Sequence, residues 1–209
     1  MIPLVRLVDD DNDFRSSQEL FIGMCGFETV GYSSAAAFLD DIRPERPGCL
    51  VLDIRMPGLT GIDLQRILKD RGVEIPIIFL TGHGTVETAV HTLQIGAFDF
   101  IEKQGDPLRL REALKRACSA SEEAARLRTS AKKRRRTFDT LTPREKDVVL
   151  LAAQGLTNKV IAERLGIGIE TVKMHRANAY GKLDVQSALD AYRWIEALDA
   201  TLLPKEVEP

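Results

Sequence analysis

The alternation of strand-like and helix-like segments through residues 1–102 constrains the fold more than any other feature of this chain. Five short apolar runs predict strands, at residues 3–8, 27–32, 48–53, 75–81 and 97–102. Between them, apolar residues recur at helical spacing near residues 12–25, 34–43, 60–71 and 85–96. Alternation of this kind implies right-handed crossovers, so it predicts a parallel sheet with helices on both faces. The continuous apolar runs of the third and fourth strands favour central positions, buried on both sides.

The second half of the chain has no sustained strand pattern and predicts four helices. Its first segment opens at Thr142-Pro143-Arg144-Glu145, which is typical of a capping box with proline at the first helical position. Residues 157–166 and a helix from about residue 169 to 183 are separated by a short turn at Gly166-Ile167-Gly168. Together they predict a helix-turn-helix, whose second helix enters the major groove of DNA. An amphipathic segment at residues 187–198 completes the four.

A helix-friendly but increasingly polar segment joins the two halves. A helix is expected to begin near Pro107, and the segment ends in the basic run KKRRR at residues 132–136. We predict a first domain at residues 1–120, an extended or helical linker at 121–137 and a second domain at 138–202. The basic run is interpreted either as a solvated connector or as an auxiliary contact to DNA phosphates.

The two halves differ in charge although the net charge of the chain is only −2. Residues 1–125 hold 13 basic and 20 acidic residues, and residues 126–209 hold 16 basic and 11 acidic residues. The first half therefore carries −7 and the second +5, which favours a polyanionic partner for the second half.

Composition favours a soluble protein of the reducing cytoplasm. The three cysteines, Cys25, Cys49 and Cys118, form no CxxC pair. No apolar stretch approaches the roughly 18 residues that a membrane span needs. The start MIPLVRLVDDDND has neither the apolar run nor the cleavage signal of a secretory peptide.

Polar side chains follow four of the five predicted strands, at the edge where parallel α/β sheets place their ligand sites. The strand ends carry, in chain order, Asp9, Asp10, Asp11, Asp53, Thr81 and Lys103. Close carboxylates repel one another and need a cation, and oxygen-only ligands point to Mg²⁺. A carboxylate beside Mg²⁺ can attack phosphorus and form an acyl phosphate. A single strand-end aspartate often only caps a helix, but four strand ends with matching chemistry favour a site.

The motifs LVDDD, VLDIRMPGLTG, LTGHG and AFDFIEK resemble the receiver domain of bacterial two-component response regulators. This resemblance implies a flavodoxin-like fold with strand order 2-1-3-4-5. It also implies that a histidine kinase phosphorylates Asp53. The implied Mg²⁺ ligands are Asp9, Asp10 (the direct member of the acidic pair), Asp53 and the backbone carbonyl of Arg55. Thr81 and Lys103 match the switch hydroxyl and the phosphate-binding lysine, and Phe100 matches the switch aromatic residue.

One position departs from this family. A proline usually follows the lysine, often after a cis peptide, whereas Gln104 follows Lys103 here. Because a cis bond to a residue other than proline costs about 2.5–4 kcal/mol, the peptide is expected to be trans or strained.

The pattern LTPRE…GLTNKVIAERLG…TVKMH…KL resembles the LuxR-type DNA-binding domain. Its pairing with a receiver resembles the NarL/FixJ subfamily, nearest to FixJ-like regulators. Residues that the resemblance assigns to DNA contact are Lys159, Thr171, Lys173, Met174, His175, Arg176 and Lys182. Gly168 replaces the serine that commonly caps the recognition helix, at an expected cost of a few tenths of a kcal/mol. The family uses its last helix, here with Leu189, Tyr192, Trp194 and Ile195, for dimerisation on DNA.

We therefore expect a phosphorylation-gated DNA-binding transcription regulator and not an enzyme. Its cofactor is expected to be Mg²⁺, and its partners DNA, a sensor histidine kinase, a second copy of the chain and RNA polymerase. One alternative is a constitutive DNA binder whose receiver is a protein-interaction module, which the Gln104 departure favours. Another is an aspartyl-phosphate phosphatase, but such enzymes carry a second aspartate where this chain has Arg55.

Overall fold

The computed structural model describes residues 2–42, 46–82 and 85–203, and the chain divides into two compact units between Arg126 and Leu127. His83 and Gly84 of the LTGHG motif lie outside the described residues. None of the helices that the structure describes has the length and apolar character that a membrane span requires. The expected domain limits, residues 1–120 and 138–202 with a linker at 121–137, stay a prediction.

The first unit contains a five-stranded parallel sheet with the order β2-β1-β3-β4-β5, as predicted. The strands are β1 (Leu4–Val8), β2 (Glu28–Tyr32), β3 (Gly48–Leu52), β4 (Ile77–Thr81) and β5 (Asp99–Glu102). Every residue of β1, β3 and β4 is buried, which agrees with their central positions, whereas β2 and β5 form the edges. The carboxyl ends of β1, β3, β4 and β5 therefore lie along one edge of the sheet.

Helices cover both faces of this sheet because alternate strand residues point to opposite sides. The helices are α1 (Asn12–Met24), α2 (Ala35–Asp40), α3 (Gly61–Asp70), α4 (Val86–Gln94) and α5 (Pro107–Asp139). In β3, Val51 packs into a cluster that includes Leu114 of α5. Its neighbours Leu50 and Leu52 pack into a second cluster that includes Leu64 of α3. The doubly covered, flavodoxin-like receiver fold is thereby confirmed.

Helix α5 is a single helix of 33 residues that continues past the boundary between the units. At 1.5 Å per residue its length is about 50 Å. Of the two forms considered for residues 121–137, extended or helical, the structure has the helical one.

The second unit is helical. It contains α6 (Pro143–Ala153), α7 (Asn158–Leu165), α8 (Ile169–Leu183), α9 (Ala188–Glu196) and a final 3₁₀ turn (Ala200–Leu202). The predicted capping box is present, because Thr142 and Glu145 each accept a hydrogen bond from the other's backbone N–H. Gly166 ends α7 at a φ of 64°, a left-handed conformation that glycine adopts without strain. This sharp turn directs the chain into α8.

Candidate functional site

The ends of β1, β3 and β5 bring two carboxylates and an ammonium group together. Lys103 Nζ lies 2.7 Å from Asp9 Oδ2 and 3.1 Å from Asp53 Oδ2. The sequence separations are large, so this contact depends on the strand order and not on local structure. It brings together three of the residues that the sequence predicted for one site.

Asp53 is held at the carboxyl end of β3 with only 6% of its surface exposed. Its Oδ1 accepts a hydrogen bond from the backbone N–H of Ile54 at 2.7 Å, and Oδ2 accepts one from Lys103. The loop after it folds back sharply, and Gly61 N donates to the Ile54 carbonyl at 3.0 Å. A Cβ at Gly61 would stand 2.1 Å from the Asp53 carbonyl oxygen, so this close approach requires glycine.

Asp9 is almost completely buried, with 1% of its surface exposed. Its Oδ1 accepts from the Asp11 backbone N–H at 3.0 Å, and its carbonyl accepts from Arg15 Nη1 at 2.6 Å. Burial raises the pKa of Asp9, because a carboxylate loses its hydration there, and the hydrogen bond and charge of Lys103 only partly oppose this rise. The ionised Asp9 therefore favours a nearby cation.

Lys103 is the cation that the site already contains. Burial alone opposes its charge, but hydrogen bonds and charge interactions with Asp9 and Asp53 outweigh burial and raise the pKa of Lys103. Its ammonium group also lies 4.3 Å from the centre of the Phe14 ring. Within the described residues no peptide bond is cis, so the bond from Lys103 to Gln104 is trans and Lys103 still reaches the two carboxylates.

Three carboxylates have a geometry that suits a divalent cation. One oxygen from each of Asp9, Asp10 and Asp53 can lie within 4.8 Å of the other two. Asp10 is exposed and leaves the site open to solvent, whereas the other two are buried. An all-oxygen set with no histidine or cysteine fits Mg²⁺. The Arg55 side chain is exposed, and the role of its carbonyl as a ligand stays a prediction.

Thr81 and Phe100 lie on the strands that support Lys103. Thr81 is buried at the end of β4, and its carbonyl accepts a hydrogen bond from the Lys103 backbone N–H at 2.9 Å. Phe100 on β5 is half-buried and lines a cavity of about 240 Å³ together with Val86 and Ala89 of α4. The two residues lie on neighbouring strands, and their switching role stays a prediction.

A second candidate site is the exposed face of α8, which follows α7 and the turn at Gly166. The exposed residues recur at helical spacing and so share one face. They are Ile169, Glu170, Lys173, Met174, Ala177, Asn178, Gly181 and Lys182. Small and polar residues with two large apolar side chains, Ile169 and Met174, suit a helix that fits into the DNA major groove.

Some of the predicted DNA-binding side chains are exposed to solvent, whereas others are half-buried or bind other side chains of the second unit. Lys159 and Lys173 are exposed, although Lys173 Nζ pairs with Glu170 Oε1 at 2.7 Å. Met174 is 52% exposed. Thr171 and His175 are half-buried. Their contact with DNA stays a prediction.

Arg176 and Lys182 interact within their own unit. Arg176 Nη1 donates to Asn158 Oδ1 at 2.9 Å, and its guanidinium group lies 5.0 Å from the centre of the Tyr180 ring. Lys182 Nζ lies 2.7 Å from the buried carboxylate of Glu145. These contacts assign both side chains a structural role in addition to the predicted contact with DNA.

Four residues of the first site were not assigned a role from the sequence. Asp11 caps α1, since its side chain accepts from the backbone N–H groups of Asp13 and Phe14. An aspartate directly before a helical pattern is a cap signal that could have shown this. No sequence signal indicates that Phe14 and Arg15 contact Lys103 and the Asp9 carbonyl, or that Gly61 packs on Asp53, because each contact depends on the tertiary fold.

Family comparisons match both units. Residues 5–115 match the family described as Response regulator receiver domain. Residues 139–195 match the family described as Bacterial regulatory proteins, luxR family.

Relatives and solved structures match over most of the chain. Nodulation protein W of Bradyrhizobium diazoefficiens is 37% identical over 93% of this chain and 86% of its own length. Transcriptional regulatory protein FixJ of Rhizobium meliloti is 39% identical over 88% of this chain and 90% of its own length. The structure of response regulator StyR has a TM-score of 0.88 at 38% identity, covering 94% of this chain and 99% of StyR.

Proposed function

The chain belongs to the two-component response regulators that join a receiver domain to a LuxR-type DNA-binding domain, and we propose that Asp53 is its phosphoacceptor. Members of this family are transcription regulators, and phosphorylation of the receiver gates their activity. In this chain, individual residues of the acidic cluster and of α8 would carry out phosphorylation and DNA binding.

The observation that carries the proposal is the contact of Asp53 with Lys103 beside two further carboxylates. Asp53 Oδ2 lies 3.1 Å from Lys103 Nζ, and ligand oxygens of Asp9 and Asp10 lie within 4.8 Å of its own. A nucleophilic carboxylate needs neighbours that bind the incoming phosphoryl group without competing for phosphorus. Lys103 is such a neighbour, because its raised pKa keeps it protonated at neutral pH.

In the proposed reaction an oxygen of Asp53 attacks phosphorus, and the bond from phosphorus to the donor breaks with its electron pair leaving on the donor. The product is an acyl phosphate on Asp53. Lys103 holds one phosphoryl oxygen by a charge-assisted hydrogen bond. The Thr81 hydroxyl, at the end of the neighbouring strand, donates to another. The backbone N–H of Ile54 keeps the carboxyl group oriented at 2.7 Å.

The carboxylates of Asp9, Asp10 and Asp53, with the Arg55 carbonyl, form the proposed Mg²⁺ site. When bound there, Mg²⁺ neutralises charge on the phosphoryl group and on the acidic cluster. The raised pKa of buried Asp9 supports this assignment, since an ionised carboxylate in that environment is stabilised by a cation.

We propose a sensor histidine kinase as the phosphodonor and promoter DNA, in the cytoplasm, as the output partner. Lys173 and Met174 on the exposed face of α8 are the proposed base contacts, with Lys159, Thr171, His175 and Arg176 beside them. Lys182 is the weakest member of the set, because Glu145 already binds its ammonium group. RNA polymerase is proposed as a further partner once the protein is bound at a promoter.

Dimerisation through α9 is proposed as the consequence of phosphorylation. Of the four residues considered, Leu189 is 57% exposed and Tyr192 is also exposed, so both are accessible to a second copy. Ile195 is buried and Trp194 is half-buried against Phe138, with ring centres 6.3 Å apart. The proposed interface therefore rests on Leu189 and Tyr192, while Trp194 and Ile195 belong to the core.

The test is incubation with Mg²⁺ and acetyl phosphate, followed by intact mass and solution molar mass, with Asp53→Asn as the control. We expect one phosphoryl adduct and a monomer-to-dimer shift in the wild type, and neither in Asp53→Asn. An adduct on both proteins would contradict the assignment of Asp53. Absence of any adduct, with unchanged affinity for promoter DNA, would instead support the constitutive binder.

A further inference from the structure

The positive charge of the second unit is concentrated outside its helix-turn-helix. Residues 140–203 hold eight basic and eight acidic residues and are therefore neutral overall. Residues 127–139, the last part of α5, hold six basic residues and one acidic residue. Since non-specific DNA affinity comes from cations that neutralise phosphates, a neutral domain needs a further source of positive charge.

Half of the cations of the helix-turn-helix domain have an acidic partner, which lowers their availability to phosphates. Four of its eight basic residues pair with carboxylates. These pairs are Arg144–Asp147, Lys146–Asp139, Lys173–Glu170 and Lys182–Glu145. Within the described residues, only the other half of the domain's cations is therefore free of an acidic partner.

The basic segment, defined as residues 128–136 of α5, has the opposite character. Lys132, Lys133 and Arg136 are exposed, and their side chains form no ion pair in the part of the chain that the structure describes. Arg135, by contrast, pairs with Asp139 at 3.7 Å. Arg128, Lys132 and Arg136 recur four residues apart and so share one face of the helix.

The basic segment is attached firmly to the DNA-binding unit and is not a free tail. Phe138, two residues after it, is buried in the core of that unit, where its ring centre lies 6.3 Å from that of Trp194. Lys182, in the last turn of α8, donates to the carbonyl of Thr140 at 3.4 Å. The helix that carries the cations therefore ends beside the end of the recognition helix.

We propose that the basic segment is a second DNA-binding surface, which contacts phosphates of the duplex beyond the site that α8 occupies. This inference rests on the proposed function, because it needs α8 to bind DNA. The segment spans about 12 Å, and duplex DNA carries one phosphate charge per roughly 1.7 Å of helix axis, so several phosphates are within its reach. Lys132, Lys133 and Arg136 provide sequence-independent affinity, while the neutral domain provides base recognition.

The salt dependence of DNA affinity tests this surface. Each phosphate contact contributes about 0.9 to the slope of log K against log salt concentration for duplex DNA. The test variant is Lys132→Gln/Lys133→Gln/Arg136→Gln in the full-length phosphorylated protein. The matched control is Lys69→Gln/Arg71→Gln/Lys115→Gln, which removes three exposed, unpaired cations from the first unit. The probe is a mixed-sequence DNA duplex several helical turns long.

We expect the slope of the test variant to be smaller than that of the wild type by about 2–3, and that of the control to be unchanged. Far-ultraviolet circular dichroism on heating should show that both variants are folded. An unchanged slope in the test variant would overturn the proposal. Lost binding to phosphatidylserine vesicles with an unchanged DNA slope would also overturn it and assign the segment to a membrane surface. A wild type that binds no duplex at all would instead contradict the proposed function.

Discussion

At the scale of single residues, the acidic cluster depends on one lysine. Lys103 reaches both Asp9 and Asp53, and each of these carboxylates is buried. Close carboxylates with no cation between them repel one another, and a buried charge with no partner is costly. The same side chain therefore stabilises the fold and is placed to bind a phosphoryl oxygen.

Replacing this lysine should destabilise the first unit. Lys103→Met is expected to lower the free energy of unfolding by about 1–3 kcal/mol, because Asp9 and Asp53 lose their hydrogen-bonded cation. Adding Asp9→Asn should recover part of the loss, since it removes one of the opposed charges. A double-mutant cycle in urea without Mg²⁺ measures the coupling, and additive effects would contradict the direct ion pair.

Gly61 and Gly23 should respond in opposite ways to the same substitution. A Cβ at Gly61 meets the Asp53 carbonyl oxygen at 2.1 Å, so Gly61→Ala must displace the loop and is expected to cost about 1–3 kcal/mol. A Cβ at Gly23, inside α1, meets nothing within 4 Å, so Gly23→Ala should stabilise by about 0.5–1 kcal/mol. Chemical denaturation measures both, and equal effects would exclude the steric explanation.

At the scale of elements, the helices begin where side-chain caps place them. Thr60, Thr142 and Thr157 each accept a hydrogen bond from the backbone of the following turn. The recognition helix α8 is the exception, because Gly168 offers its first turn no side-chain acceptor. The element that is proposed to read DNA is therefore less firmly capped than these others.

A serine at that position should correct the missing cap. Gly168 has φ −69° and ψ 149°, an extended conformation that suits a capping serine, and an added Cβ meets only Thr171 Oγ1 at 3.6 Å. Gly168→Ser is expected to stabilise the second unit by a few tenths of a kcal/mol. Thermal unfolding followed by fluorescence of the single tryptophan, Trp194, checks this. A lower midpoint would contradict the capping argument.

The cap of α6 should make the second unit sensitive to acid. The hydrogen bond from Lys182, followed by that from the Thr142 backbone, lowers the pKa of Glu145 below its ordinary value of 4.5. A lowered folded-state pKa means that the carboxylate stabilises the unit above pH 4.5, and that this stability is lost as the pH falls through the folded-state value. Glu145→Gln should therefore flatten the pH dependence of the Trp194 transition. If Glu145→Gln lost stability at low pH as the wild type does, groups other than Glu145 would dominate the acid sensitivity of the second unit.

At the scale of the whole molecule, two units with separate cores have separate tasks. The clusters on both faces of the sheet contain residues of the first unit only, apart from any contribution of residues outside the described ranges. Two further clusters belong to the second unit. One unit carries the carboxylates and a net negative charge, and the other carries the recognition helix and a net positive charge. This division corresponds to a receiver that accepts phosphate and an output domain that binds DNA.

Mg²⁺ should therefore stabilise the first unit, which contains the acidic cluster, and not the second. A ligand at about a hundredfold excess over its Kd stabilises the state that binds it by about 2.7 kcal/mol. Amide hydrogen exchange in β1 and β3 should slow with Mg²⁺, while the Trp194 transition of the second unit should not move. Asp10→Asn, which removes the exposed member of the proposed ligand set, should abolish the effect. Equal protection of both units would indicate a general salt effect.

The sequence by itself determined the local elements and their order. Short apolar runs and period-3.6 patterns, together with cap and turn residues, encode strands and helices through contacts a few residues apart. For that reason the five strands, the capping box at Thr142 and the two helices around Gly166 agree with prediction. Matching chemistry at four strand ends also located the acidic cluster, because the carboxyl ends of parallel strands share one edge of the sheet.

Only the tertiary structure decided how the side chains at these positions are used. Arg6 lies in an apolar strand, yet it is buried and donates to the carbonyls of Leu4 and Arg46. Lys182, a predicted DNA contact, also binds Glu145 in the fold. Gly61 must be glycine because a distant carbonyl approaches it. Most of these contacts join different elements of the fold, so they follow from how the elements pack and are not encoded in any local pattern.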